Sequence, residues 1–150
     1  MEELKIKLVE KMEDLRELFY LGGICHNSRE MVVDSYGEHS AVAWSYNEPI
    51  GFWHGEKREF NLPIDFGVRH TCFWSKGIFV LSDFRRKGTG ILIKEHQLKF
   101  AKDKGYRSSC CKVYPDNNDS LNIQRKLGAE VRLGDDGLWE CCFDLGDLNL

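Results

Sequence analysis

No stretch of this chain approaches the roughly 20 consecutive apolar residues of a membrane span. Positive charge is not in excess either. The formal net charge is −3 and the sequence pI is about 6.0, so no dominant attraction to nucleic acid or anionic lipid is expected. No Cys-x-x-Cys pair occurs among the six cysteines, which leaves a zinc site, or any other metal, without support. No Gly-Lys-Ser/Thr follows the glycine-rich stretch of the chain, which excludes a P-loop. Gly-x-Gly-x-x-Gly is absent, which removes support for a dinucleotide fold. The first residues, MEELKIKLVEKMEDL, read as neither a secretory signal nor a transit peptide, so a cytoplasmic protein is expected.

What is present suits one globular domain over residues 1–150. Apolar residues make up 42% and charged residues 30%, and the length allows a real core. The cysteines are Cys25, Cys72, Cys110, Cys111, Cys141 and Cys142. The two Cys-Cys doublets fall in apparent strands, where neighbours point to opposite faces. With no secretory signal, buried thiols acting as small hydrophobes are expected rather than a disulfide framework. Cys25 and His26 form a conceivable nucleophilic pair but lack a third, orienting group, and read as ordinary helix-end residues.

Taken in order, Leu4, Ile6 and Leu8 alternate with lysines as a half-buried strand. Met12, Leu15, Leu18 and Phe19 keep helical spacing up to Gly22-Gly23, and Asn27–Glu30 caps a short second helix through Met31–Val33. A strand over 41–46, a turn at Asn47-Glu48-Pro49 and a returning strand Ile50–His54 make a hairpin. Residues 56–70 have no clear period; they read either as a packed loop over a substrate cleft or as a second hairpin. Thr71–Leu81 is the central strand, Ile91–Lys104 a helix without one clean apolar stripe, and Ser108–Tyr114 another strand. Further on, Ile123 and Leu127 share a helical face, and Gly128 suits the C-cap of that helix. Glu130–Leu133 and Leu138–Leu145 flank the turn Gly134–Gly137 as a closing hairpin.

Within this pattern Gly77–Gly90, GIFVLSDFRRKGTG, joins a buried strand to a glycine-rich loop that opens a helix. Small residues let backbone N–H groups converge on an anion at a helix N-terminus, and Arg86 and Lys87 add positive charge. The residues alone fit either a pyrophosphate cradle or a plain strand–turn–helix junction. The stretch resembles motif A of the GCN5-related N-acetyltransferases (GNAT), with Arg85, Gly88 and Gly90 at the signature positions and Ser82-Asp83-Phe84 where Pro-Glu-Tyr is usual. Asn117, Ser120, Lys126, Gly128 and Ala129 then match motif B in register. Together the two motifs cover residues 77–129, and the order of the elements fits the rest.

The resemblance implies an α/β (α+β) acyl-CoA N-acyltransferase fold. This is a mixed, mostly antiparallel sheet of about seven strands with helices on both faces and splayed fourth and fifth strands. It implies an N-acetyltransferase that moves an acetyl group from acetyl-CoA to a primary amine of a small molecule or protein by direct attack, with no acyl-enzyme. Phe79, Val80 and Leu81 would present backbone groups to the pantetheine and thioester. Arg85, Arg86, Lys87, Gly88, Thr89 and Gly90 would hold the pyrophosphate, and Asn117 and Ser120 would line the pantetheine side. Family members often dimerise, although the sequence carries no interface signature, and neither a nucleic-acid nor a membrane partner is expected.

One departure matters. Gln124 stands where motif B usually has the tyrosine that protonates the departing thiolate, and an amide does not give up a proton as a phenol does. Tyr114 is a substitute acid or an aromatic packed at a strand end. His70 is a candidate base or an exposed histidine, with Glu56, Glu59 and Asp65 as rivals. Trp44, Trp53 and Trp74 line an acceptor pocket or belong to the core. The replacement at Gln124 also admits a different class of function, a coenzyme A-binding regulatory module with lost or weak catalysis.

Overall fold

Exposed Lys5 and Lys7 alternate with half-buried Leu4, Ile6 and Leu8 along β1 (Leu4–Leu8), the signature of an edge strand with one wet face. The computed structural model describes residues 4–10, 16–17, 20–21, 39–59 and 71–150. The helices expected between Met12 and Val33 lie largely outside these residues. Cys25, His26, residues 60–70 with Asp65, and His70 lie wholly outside them. The remaining strands are β2 (His39–Ser45), β3 (Glu48–Glu59), β4 (Thr71–Val80), β5 (Ser108–Val113), β6 (Glu130–Leu133) and β7 (Trp139–Asp144). Besides helical residues 16–17 and 20–21, the helices among the described residues are α1 (Thr89–Asp103) and α2 (Asn118–Lys126), with a 3-10 turn at Ser82–Phe84. The strands form one sheet in the order β1-β2-β3-β4-β5-β7-β6, in which β4 is central.

The chain divides into two compact units. One is Met1–Glu56 with Lys76–Lys94, the other Lys57–Ser75 with Glu95–Leu150. In the first, β2 pairs antiparallel with β1 and with β3. The β2–β3 turn is tighter than the sequence suggests. Ser45 already pairs with Glu48, so Glu48 and Pro49 belong to β3, and Tyr46 takes the left-handed conformation (φ 53) that closes the two-residue turn. Strand β3 also runs on through Glu59, so residues 56–59 are strand rather than loop. Phe52, on one face of β3, packs with Leu21, Val42 and Phe79. Gly51, on the opposite face, meets Ile93 of α1. Leu21 and Ile93 are both helical, so helical residues cover both faces of β3.

In the second unit, α1 lies over Phe73, whose ring meets Phe100 and Tyr106 edge-on. Gln97 donates its amide to Ser75 Oγ at 2.9 Å, and both are buried. This explains the broken apolar stripe of α1. Its buried face carries Lys94 and Gln97 beside Ile93, Leu98 and Ala101, so an inward position of this helix need not be apolar. Ser75→Ala removes one hydrogen bond of a buried amide and is expected to lower stability by about 1–2 kcal/mol in urea unfolding.

The cysteines behave as expected of small hydrophobes. Cys72, Cys110 and Cys142 pack together beside Trp74, while Cys111 and Cys141 join Val113 and Leu121 of α2 on the other face. All five are buried free thiols. Thiol–thiol hydrogen bonds and burial push Cys72 and Cys110 well above the ordinary thiol range, so neither is a ready nucleophile.

Burial lowers the pKa of His96 from its ordinary 6.5. The unfolded chain therefore binds this proton at higher pH than the folded one, and stability rises with pH across that interval. As the pH falls below about 6.5, this histidine should subtract from stability until its folded pKa is passed. Proton NMR of the histidine ring should give a midpoint below that of a histidine-containing peptide; an equal or higher midpoint would contradict the burial.

Candidate active site

Strand β4 does not run regularly to its end. Lys76 Nζ lies 3.0 Å from Glu56 Oε1, and the Phe79 ring packs on Phe52 at 5.6 Å. Phe52 and Glu56 are four apart on β3 and share a face. Lys76 and Phe79 are three apart, a spacing that puts residues of a regular strand on opposite faces. One residue is therefore extra between them, at Gly77, whose φ of +154 disfavours other residues. Against it stands His54, buried, edge-on to Phe52, with Nε2 3.4 Å from where a Gly77 β-carbon would sit. His54 belongs to no motif of the sequence, but the alternation Phe52, His54, Glu56, Arg58 places it on this face. Past the bulge, Phe79 and Val80 are buried and Leu81 is half-buried.

The loop after β4 is fastened by its own arginine. Arg85 Nε donates to the Val80 carbonyl at 2.7 Å, and the guanidinium lies 5.5 Å over the Phe79 ring. The two ends of the turn are thereby tied, and the terminal guanidinium nitrogens remain for another acceptor. Arg86 (φ 62) and Gly88 (φ 81) are both left-handed, which swings successive N–H groups inward. No atom comes within 4 Å of a β-carbon position on Gly88. The first bond of α1 runs from Leu92 N–H to Gly88 O, so the amides of Thr89, Gly90 and Ile91 have no partner inside the helix. No acidic residue occupies the first turn of α1, and Arg85, Arg86 and Lys87 are exposed beside it. Positive helix end, unused amides and three cations suit a polyanion such as a pyrophosphate.

The motif B residues form their own local structure in the second unit. Asn117 caps α2, its Oδ1 accepting from Ser120 N–H at 3.2 Å, so motif B begins as a helix start. Gly128, left-handed at φ 99, ends the helix. Gln124 is buried beside Leu121, and its Oε1 has no hydrogen-bond partner among the described residues. Tyr114 lies just beyond β5 and is 68% exposed. Of the carboxylates considered as bases, Glu56 is paired with Lys76. Glu59 accepts from Thr71 Oγ1 at 3.4 Å and lies near Lys57. Trp53 is fully buried, Trp44 packs against the Phe52 cluster, and Trp74 carries Arg58 at 4.8 Å over its ring.

Residues 9–129 match the sequence model of the Acetyltransferase (GNAT) family. The chain belongs to this family. No curated protein sequence matches it. Among solved structures, an acetyltransferase of Bacillus subtilis in complex with CoA is 18% identical, with a TM-score of 0.72 over 95% of this chain and 99% of that one. The aminoglycoside N-acetyltransferase AAC(6')-Iy with CoA is 19% identical, with a TM-score of 0.68 over 85% and 88%. The ribosomal-protein-S18-alanine N-acetyltransferase of Escherichia coli is 16% identical, with a TM-score of 0.68 over 93% and 91%. At these identities the likeness is one of fold.

The sheet of this GNAT domain carries the feature that the resemblance implied. Strands β4 and β5 pair in parallel over Cys72–Trp74 and Ser108–Cys110 alone, whereas β5 pairs with β7 along its whole length. The short parallel ladder agrees with fourth and fifth strands that splay.

Proposed function

We propose that this GNAT domain transfers an acetyl group from acetyl-CoA to a primary amine of a small molecule or a protein, by direct attack of the neutral amine. The observation that carries the reading is the fastened loop from Arg85 to Gly90, with its left-handed Arg86 and Gly88 and the acid-free start of α1. The amides of Thr89 and Gly90 and the side chains of Arg86 and Lys87 would hold the pyrophosphate of the cosubstrate. Backbone groups of Phe79 to Leu81 would position the thioester and meet the developing oxyanion. Asn117 and Ser120 would flank the pantetheine. The aminoglycoside and ribosomal-protein enzymes of similar fold support small-molecule and protein amines alike as acceptors.

Gln124 offers no proton, and Tyr114 stands in water. We therefore read the departing thiolate as leaving without a protein acid, which a thiol pKa near 8.5 permits. Tyr114→Phe is expected to keep kcat within about threefold, since a working general acid contributes roughly 100-fold or more. The candidate bases are His70, His54 and the carboxylates of β3, of which Glu56 is paired with Lys76, the residue before Gly77.

The activity is tested by following coenzyme A release with acetyl-CoA and a panel of aminoglycosides, polyamines and peptides with free N-termini. Turnover with any of them supports the transferase. Acetyl-CoA binding without turnover across the panel would support the regulatory module instead, and no binding would remove both.

A further inference from the structure

Strand β6 ends the sheet, and β7 is its one strand neighbour among the described residues. Its open side has a definite hydrogen-bonding pattern. Gly134 N–H donates to Leu138 O at 2.8 Å, which makes that cross-strand pair hydrogen-bonded. In an antiparallel ladder the pairs alternate, so Arg132 with Glu140 and Glu130 with Cys142 also exchange bonds. The N–H and C=O groups of Val131 and Leu133 then point away from β7. Leu133, at the end of β6, is 56% exposed.

We propose that β6 pairs with β6 of a second copy of this chain, antiparallel and symmetric about Val131. In that register each Val131 donates its N–H to the other copy's Val131 carbonyl. Leu133 N–H faces the carbonyl of Ala129, whose own N–H is already donated to Gln124 O. Glu130 of one copy falls opposite Arg132 of the other, twice, at the pair positions where side chains come closest. Both residues are exposed in the single chain. The strand is thus self-complementary in charge.

The other edge of the sheet supplies the contrast. A symmetric pairing of β1 about Ile6 would set exposed Lys5 opposite Lys7, which is repulsive. Charges on an edge strand ordinarily guard it against pairing. Those of β1 guard against a second copy, and those of β6 attract one.

Sedimentation velocity over a concentration series tests this with the full chain and four proteins. The wild type should dimerise. Glu130→Arg, which sets like charges opposite each other, should raise the dimer Kd by roughly tenfold or more. Adding Arg132→Glu to it should restore dimerisation by reversing both signs. Val131→Pro removes an N–H that β7 does not use and should also give monomer, with circular dichroism confirming that each variant is folded. A wild type that stays monomeric up to about 0.1 mM, a concentration at which even a weak specific pair associates, would overturn the proposal. So would a dimer indifferent to Glu130→Arg and Val131→Pro.

Discussion

Thr89→Glu should make the protein slightly more stable and a much poorer binder of coenzyme A. Thr89 opens α1, whose first turn holds no acidic residue although that is where a carboxylate is most favourable. A glutamate there interacts with the helix dipole and with free amides and should add about 0.3–1 kcal/mol to stability. It would also place a negative charge where the pyrophosphate is proposed to sit. Like charges brought together on binding cost on the order of 1.4–2.8 kcal/mol at such a site, so Kd should rise roughly 10- to 100-fold. Calorimetric titration with coenzyme A and a thermal melt on the same sample read both effects. The opposite signs are the point. A variant that lost stability and affinity together would indicate mere damage, and an unchanged Kd would remove the anion from this helix end.

Gly51→Ala should be strongly destabilising although it adds a single methyl. A β-carbon there would lie 2.4 Å from the Phe79 carbonyl oxygen and 2.9 Å from Ile93 Cδ1. The isoleucine tip has some freedom, but the carbonyl belongs to the backbone of β4 and cannot turn away. Overpacking of this kind costs about 2–3 kcal/mol. At this chain length that corresponds to a fall in Tm of about 4–12 °C. Gly88→Ala is the control. Its β-carbon would meet nothing within 4 Å, so its left-handed φ of 81 is the only penalty, about 1 kcal/mol. Equal melting temperatures for the two variants would show that the close approach of Gly51 to Phe79 is not fixed. If the shifted Phe79 carbonyl belongs to the site that holds the thioester, Gly51→Ala should also lower kcat in the fraction that remains folded.

These two positions show what was legible in the chain and what was not. Gly88 stands out locally, following Arg85-Arg86-Lys87 just ahead of a helix, and the motif A resemblance then selects the pyrophosphate cradle over a plain strand–turn–helix junction. Gly51 looks like any strand glycine, and only the packing of β4 and α1 against it explains the residue. The same division holds for Asn117 and Gln124. Asn117 is legible in the sequence only as a motif B residue, and the structure adds that its Oδ1 accepts from Ser120 N–H as the cap of α2. The polar Gln124 has a buried side chain, which no pattern of the nine-residue helix would require. The sequence suggests a turn at Asn47-Glu48-Pro49 because Pro49 reads as a turn residue, whereas the turn is Tyr46-Asn47 and the positive φ falls on Tyr46, a residue with no such preference.

The sequence by itself determined the order of the described strands with α1 and α2, the acetyltransferase family through its two motifs, and the cationic, glycine-bearing loop. All of these rest on interactions between residues close along the chain. Tertiary structure alone decided the extra residue at Gly77 with His54 against it and the polar inner face of α1. It also decided the row of thiols across β4, β5 and β7 and the open, self-complementary edge of β6. Each depends on which strand lies beside which and in what register, and one residue of slip would turn every side chain concerned to the opposite face.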